Sequence, residues 1–185
     1  RFLERGKPGS ERIVRLDQVL PVVRSVPEFW IDFKFFTPDF AEQALAEFRR
    51  AKIDESRLIV ATFTEPALAY LRKAHPNIRR VGHFNVTKDA KTGLWRRHDG
   101  KTFAMREEAV RSALEYRDKY GLFGVNMPVS QGQTRPQDVE FLRKNGLWVS
   151  LWFVQDAKAA AAYRTCGADA FVTDFASHLR VEGQN

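Results

Sequence analysis

Residues 29–34 read FWIDFK. Strand side chains alternate faces with a period of two, so Trp30, Asp32 and Lys34 share one face while Phe29, Ile31, Phe33 and Phe35 share the other. One face is aromatic and aliphatic; the other carries an acid and a base. Burying both charges inside a sheet is unfavourable by several kcal/mol unless they are paired with each other or bound to something. An internal ion pair is one answer, and a ligand site is the other.

Working outward, apolar periodicity switches between two and 3.6 in regular order. Strand-like runs cover 29–34, 58–63 (LIVATF), 80–86 (RVGHFNV), 122–129 (LFGVNMPV), 147–154 (LWVSLWFV) and 170–175 (AFVTDF). Helix-like runs lie between them. Residues 38–51 follow Thr37 with Pro38 in the first turn, and 65–74 follow Thr64 with Pro66, the pattern of an N-cap before proline. Further helices fit 103–119, 136–145 and 157–166, with Gly121, Gly146 and Gly167 as stops, and an earlier helix spans about 14–25 around Pro21. Alternation with short connections predicts a parallel sheet covered by helices, six strands and six helices in a single domain. The long connection 86–101 is expected to be a loop excursion over one rim.

With 185 residues, 44% of them hydrophobic and 12% aromatic, the chain has globular composition. No apolar run approaches the ~20 residues of a membrane helix, so the chain reads as soluble, in the cytoplasm or in a periplasmic or secreted setting. The single Cys166 excludes an internal disulfide and a multi-cysteine zinc site. The net charge of +7 favours anionic partners, but the pairs Arg49-Arg50, Arg79-Arg80 and Arg96-Arg97 are scattered and read as solvated helix ends and loops. No nucleic-acid partner is expected.

In parallel α/β folds, ligands sit at the C-terminal ends of the strands. Applied strand by strand, that rule selects Asp32 and Lys34, then Thr62, His83 and Asn85, Asn126, Ser150 and Trp152, and Asp174. A carboxylate, a lysine, amides and a tryptophan suit a small anionic substrate with a hard cation. His83 is the histidine placed to reach a mouth, and its plainest reading is a hydrogen-bonded core residue. His75 and His178 read as surface residues.

The segments RIVRLDQVLPVV, WIDFK, Thr62-Phe63 in IVATF, FLRKNGLWVSLWFVQD and GADAFVTDF, in this order, resemble the glycerophosphodiester phosphodiesterase family from about Arg12 to Leu179. The resemblance implies a (β/α)8 TIM-type barrel of which about six βα units are present, the C-terminal three quarters of the barrel. It also implies hydrolysis of a small-molecule glycerophosphodiester to glycerol 3-phosphate and an alcohol, within lipid and glycerol metabolism, with a divalent cation, calcium or magnesium. By the same resemblance Asp32 matches the metal-binding acid and Lys34 the phosphate-contacting lysine of the family's acid-x-lysine strand. The resemblance also implies that Trp152, in LWFVQD, lines the pocket beside the glycerol. Glutamate is the more usual acid, and aspartate is one methylene shorter. Gln155 stands where asparagine is usual, and Asp174 matches the closing strand.

Nothing before Asp32 matches the family's His-Arg-Gly motif, its Glu-x-Asp pair or its second histidine. The catalytic histidines are therefore expected upstream of Arg1, on about two further βα units. Residues 1–185 alone are expected to be inactive and incompletely folded. His98-Asp99 resembles the family's His-Asp motif but follows the third strand, and reads as coincidence. The alternative function is a catalytically inactive barrel that binds a phosphorylated ligand or a partner protein.

Overall fold

The computed structural model describes residues 14–174. In chain order the elements are α1 (Leu16–Val23), β1 (Phe29–Phe33), α2 (Pro38–Arg50), β2 (Leu58–Thr62), α3 (Glu65–Ala74), β3 (Arg79–His83), β4 (Val86–Lys88), β5 (Trp95–Arg97), β6 (Thr102–Phe103), α4 (Arg106–Tyr120), β7 (Gly124–Pro128), α5 (Pro136–Lys144), β8 (Trp148–Trp152), α6 (Ala157–Thr165) and β9 (Ala170–Val172). Six strands form one parallel sheet in the order β1-β2-β3-β7-β8-β9. This is six βα units of a TIM-type β/α barrel wall, with β1 and β9 at the two edges among the described residues.

The register separates two faces. Asp32 lies beside Ala61, Ala61 beside Val81, His83 beside Asn126, Asn126 beside Ser150, and Ser150 beside Ala170. On that inner face Ile59, Ala61 and Val81 pack with Trp30 and Trp148, whose rings are 5.8 Å apart, as an apolar floor below the polar residues. The outer face carries Phe33, Leu58 and Val60 against Leu45 and Phe48 of α2, and Val125, Met127, Val149 and Leu151 against α4 and α5. Most of this apolar area leaves water on the helix side, at roughly 25 cal/mol per Å².

Thr37 caps α2 as expected, its Oγ1 accepting from Phe40 N–H at 3.1 Å. Thr64 occupies the equivalent position before α3, but its hydroxyl bonds that of Thr62 at 3.1 Å, and no side-chain cap forms. Gly121 ends α4 in the left-handed conformation, φ 59°, where a side chain is strained. The close approach of β7 to β8 needs Gly124: a Cβ there would stand 2.3 Å from the Trp148 carbonyl oxygen.

Several expectations change. The run 80–86 is not one strand, because β3 ends at His83 and β4 starts at Val86. The connection 86–101 is not a loop excursion over a rim. With residues 102–103 it forms an antiparallel meander, β4-β5-β6, which displaces the start of α4 from 103 to Arg106. The meander buries Val86 and packs Trp95 and Phe103 on the core. Arg97, 8% exposed, donates to Ser112 of α4 and pairs with Asp99, and the Arg106 guanidinium lies 4.8 Å from the Trp95 ring centroid while bonding Asp138 at 2.6 Å. Charge and aromatic packing, illegible as periodicity, hold this segment.

Two of the basic pairs depart from solvated ends and loops, and one of them, Arg96-Arg97, lies on β5. Arg79 and Arg80 lie on β3, and Arg80 donates to the carbonyls of Ile78 and Gly121, so its charge closes the strand's lower end. His75 is not a surface residue. It is 5% exposed, with Nε2 2.6 Å from Glu42 and Nδ1 3.2 Å from Glu55, because the end of α3 turns the ring inward against α2. His178 and the residues after Asp174 lie outside the described residues. No helix among the described residues is long and apolar enough to cross a membrane.

Candidate functional site

At the C-terminal end of β1 the alternation of FWIDFK places Phe33 outward and Asp32 inward, the Asp32 side chain 28% exposed. Lys34, one residue past the strand, returns to the same side and puts Nζ 2.6 Å from Asp32 Oδ2. The other carboxylate oxygen, Oδ1, is 3.3 Å from His83 Nε2. Burial alone would raise the Asp32 pKa, but hydrogen bonds from His83 and Lys34 outweigh it and hold the carboxyl below its ordinary value. Asp32 is an ionised carboxylate at neutral pH.

His83 is fully enclosed, and its Nδ1 lies 3.2 Å from Asn126 Nδ2. Asn126 Oδ1 in turn accepts from the Ser150 hydroxyl at 2.9 Å. Four strands of the sheet, β1, β3, β7 and β8, thus contribute to one line of hydrogen bonds across the inner face, which passes over β2 between Asp32 and His83. Phe63, after β2, lies flat on His83 with ring centroids 4.0 Å apart, and the Lys34 ammonium is 6.0 Å from the Phe63 centroid. Trp152, at the end of β8, stands edge-on to both rings at 6.4 and 6.2 Å. Its Nε1 is buried without a partner among the described residues. Gln155 donates to Asp174 Oδ2 at 3.0 Å, beside the last described strand.

The structure therefore brings together Asp32, Lys34, His83, Asn126, Ser150 and Trp152. It does not bring Thr62. The register sets Thr62 beside Phe33 on the helix-facing side, where its hydroxyl donates to the Phe33 carbonyl at 3.0 Å. LIVAT, residues 58–62, is buried on both faces, so its sequence does not show which parity faces inward. Phe63 holds the inward place instead; its neighbour Thr62 drew the choice because polar residues are the usual mouth signal. Asn85 follows the end of β3 and accepts at its carbonyl from His98 N–H, while its Oδ1 is buried without a partner among the described residues. His98 and Asp99 are not a dyad in this structure. Asp99 pairs with Arg97, and the His98 ring packs edge-on to Tyr116 at 5.2 Å, where burial lowers its pKa.

The donor chemistry at Asp32 is hard oxygen, which suits calcium or magnesium. No group of three or more His, Cys, Asp or Glu side chains that could hold a metal occurs among the described residues. Asp32 can furnish one carboxylate of a cation's shell, and its Oδ2, held by an exposed ammonium and not by the core, is the oxygen open to exchange.

A family model described as the Glycerophosphoryl diester phosphodiesterase family matches residues 32–178. Solved structures of similar fold include a glycerophosphodiester phosphodiesterase from Parabacteroides distasonis, 16% identical over 89% of this chain and 61% of that one, with TM-score 0.61. Another, from Agrobacterium tumefaciens, is 18% identical over 90% and 60%, TM-score 0.59. A phosphodiesterase from Oleispira antarctica, solved with the product sn-glycerol 3-phosphate, is 15% identical over 89% and 58%, TM-score 0.62. The chain spans 52% to 61% of the length of the solved structures heading the comparison. No curated protein matches it.

Proposed function

The chain belongs to the glycerophosphoryl diester phosphodiesterase family, and from that premise we propose that it contributes the phosphate-binding half of a site that hydrolyses glycerophosphodiesters to glycerol 3-phosphate and an alcohol. The observation that carries the reading is the Asp32-Lys34 pair at the strand ends, an ionised carboxylate and an exposed ammonium on one side of the sheet.

Asp32 is the ligand for a calcium or magnesium ion, which when bound polarises a phosphoryl oxygen. Lys34, its side chain 69% exposed, has the freedom to leave Asp32 and meet the phosphate as a point charge. Trp152 lines the glycerol side with its apolar ring, and its buried Nε1 has no partner among the described residues. His83 is enclosed and engaged at both nitrogens, so no proton transfer to the leaving alcohol is assigned to it. That step is assigned to a group outside the described residues, and residues 1–185 are read as one domain of the barrel.

The test is release of glycerol 3-phosphate from glycerophosphocholine by the full-length protein, with and without added magnesium or calcium. Cation-dependent release supports the reading. Binding of glycerol 3-phosphate without turnover at any cation concentration would favour the inactive, ligand-binding alternative.

A further inference from the structure

The Asp32 carboxylate is held from behind by a relay with one consistent direction. The Ser150 hydroxyl has one hydrogen, and the shorter of its two acceptor contacts, 2.9 Å against 3.4 Å to the Val125 carbonyl, assigns that hydrogen to Asn126 Oδ1. Asn126 then presents its NH₂ to His83 Nδ1, which must accept. In the neutral ring the remaining proton sits on Nε2, aimed at Asp32 Oδ1. Ser150, Asn126 and His83 are 0%, 2% and 3% exposed, and Phe63 covers the imidazole face, so water does not compete along the line.

We propose that His83 is a positioning residue for Asp32: the Ser150-Asn126-His83 relay fixes Oδ1 and leaves Oδ2 as the oxygen presented to ligand. This rests on the reading of Asp32 as a cation ligand and adds the residue that orients it. An aspartate has two side-chain torsions, and the strand fixes neither; the hydrogen bond from Nε2 selects one orientation of the carboxylate plane before any ligand arrives. The exposed lysine cannot do this, because its own four-carbon stem is free to move.

The experiment measures magnesium and calcium binding by calorimetry in the full-length protein for wild type, His83→Leu, His83→Asn and His83→Gln, each with Asp32 and with Asp32→Asn. Glutamine places an amide N–H near the Nε2 position; asparagine keeps the contact toward Asn126 but does not reach Asp32. Leucine and asparagine should weaken cation binding about tenfold to a hundredfold, and glutamine should restore it to within about threefold. In the Asp32→Asn background all four residues at position 83 should bind the cation alike. Wild-type affinity in His83→Asn, or a loss that persists without the Asp32 carboxylate, overturns the positioning role while leaving Asp32 as ligand. If Asp32→Asn binds the cation as wild type does, the functional reading and this inference fall together. Independently of any cation, ¹⁵N correlation spectra of His83 should show the Nε2–H form, and an Nδ1–H form overturns the relay.

Discussion

Replacing Asp32 by alanine removes two separable things, a charge at the mouth and an acceptor beneath it. His83 is 3% exposed and its Nε2 finds its acceptor in Asp32 Oδ1 at 3.3 Å. Deleting that acceptor leaves a buried donor unsatisfied, which destabilises by about 1–3 kcal/mol. The Lys34 partner adds little, because an ammonium 69% exposed regains water when the pair is broken. Asp32→Asn keeps a carbonyl oxygen for His83 and loses only the charge, so its unfolding free energy should stay within ~1 kcal/mol of wild type. Turnover should separate from stability. A cation ligand supplies several kcal/mol of transition-state stabilisation, so both variants should lose about two to four orders of magnitude in kcat/KM. Urea unfolding and glycerol 3-phosphate release, run on the same preparations, give the two numbers. Equal stability of Asp32→Ala and wild type would refute the His83 hydrogen bond. Turnover in Asp32→Asn near wild type would refute the role of the charge.

Lys34→Met should unfold like wild type yet lose most activity toward phosphodiesters, seen in steady-state kinetics, since the stem is retained and the ammonium removed. Trp152→Phe should raise KM several-fold with a smaller change in kcat, because an aromatic ring persists while an N–H without a partner among the described residues is lost. Gly124→Ala should destabilise by about 1–3 kcal/mol or more in urea titrations, its Cβ meeting the Trp148 carbonyl oxygen at 2.3 Å, where backbone must move. Hydrogen bonding from Arg97 holds the Asp99 pKa down to about 2, against 3.8 ordinarily. A depressed folded-state pKa means the stabilisation is complete above about pH 4 and is lost as pH falls toward about 2, and solvent screening limits it to about 1–2 kcal/mol. The stability gap between wild type and Asp99→Asn should therefore shrink over that acid window in urea unfolding; a gap independent of pH would refute the Arg97-Asp99 contribution.

The parts of the fold legible in the sequence are those set by local chemistry. The alternation in FWIDFK, the Thr-Pro starts of α2 and α3 and the glycines after α4, α5 and α6 act over a few residues, and each element appears within a few residues of its expected place. So did the pairing of Asp32 with Lys34, because two-residue spacing forces both onto one side. The meander β4-β5-β6 was not legible: its strands are two or three residues long, Arg97-Asp99 ties it internally, and Arg97-Ser112 and Arg106 over Trp95 hold it through contacts with α4. His75 went inward for the same kind of reason, since Glu42 reaches it from α2 and Glu55 from the turn before β2.

Sequence by itself determined the strand-helix order and the acid and lysine at the end of β1, since both follow from periods of 3.6 and two along a single segment. Tertiary structure decided which residue of LIVATF faces inward, and that His83, Asn126 and Ser150 stand in line behind Asp32. A strand buried on both faces carries no parity signal, and cross-strand register depends on how β1, β3, β7 and β8 align across the sheet. Hydrogen bonds spanning 24 to 51 residues are fixed only when that alignment exists.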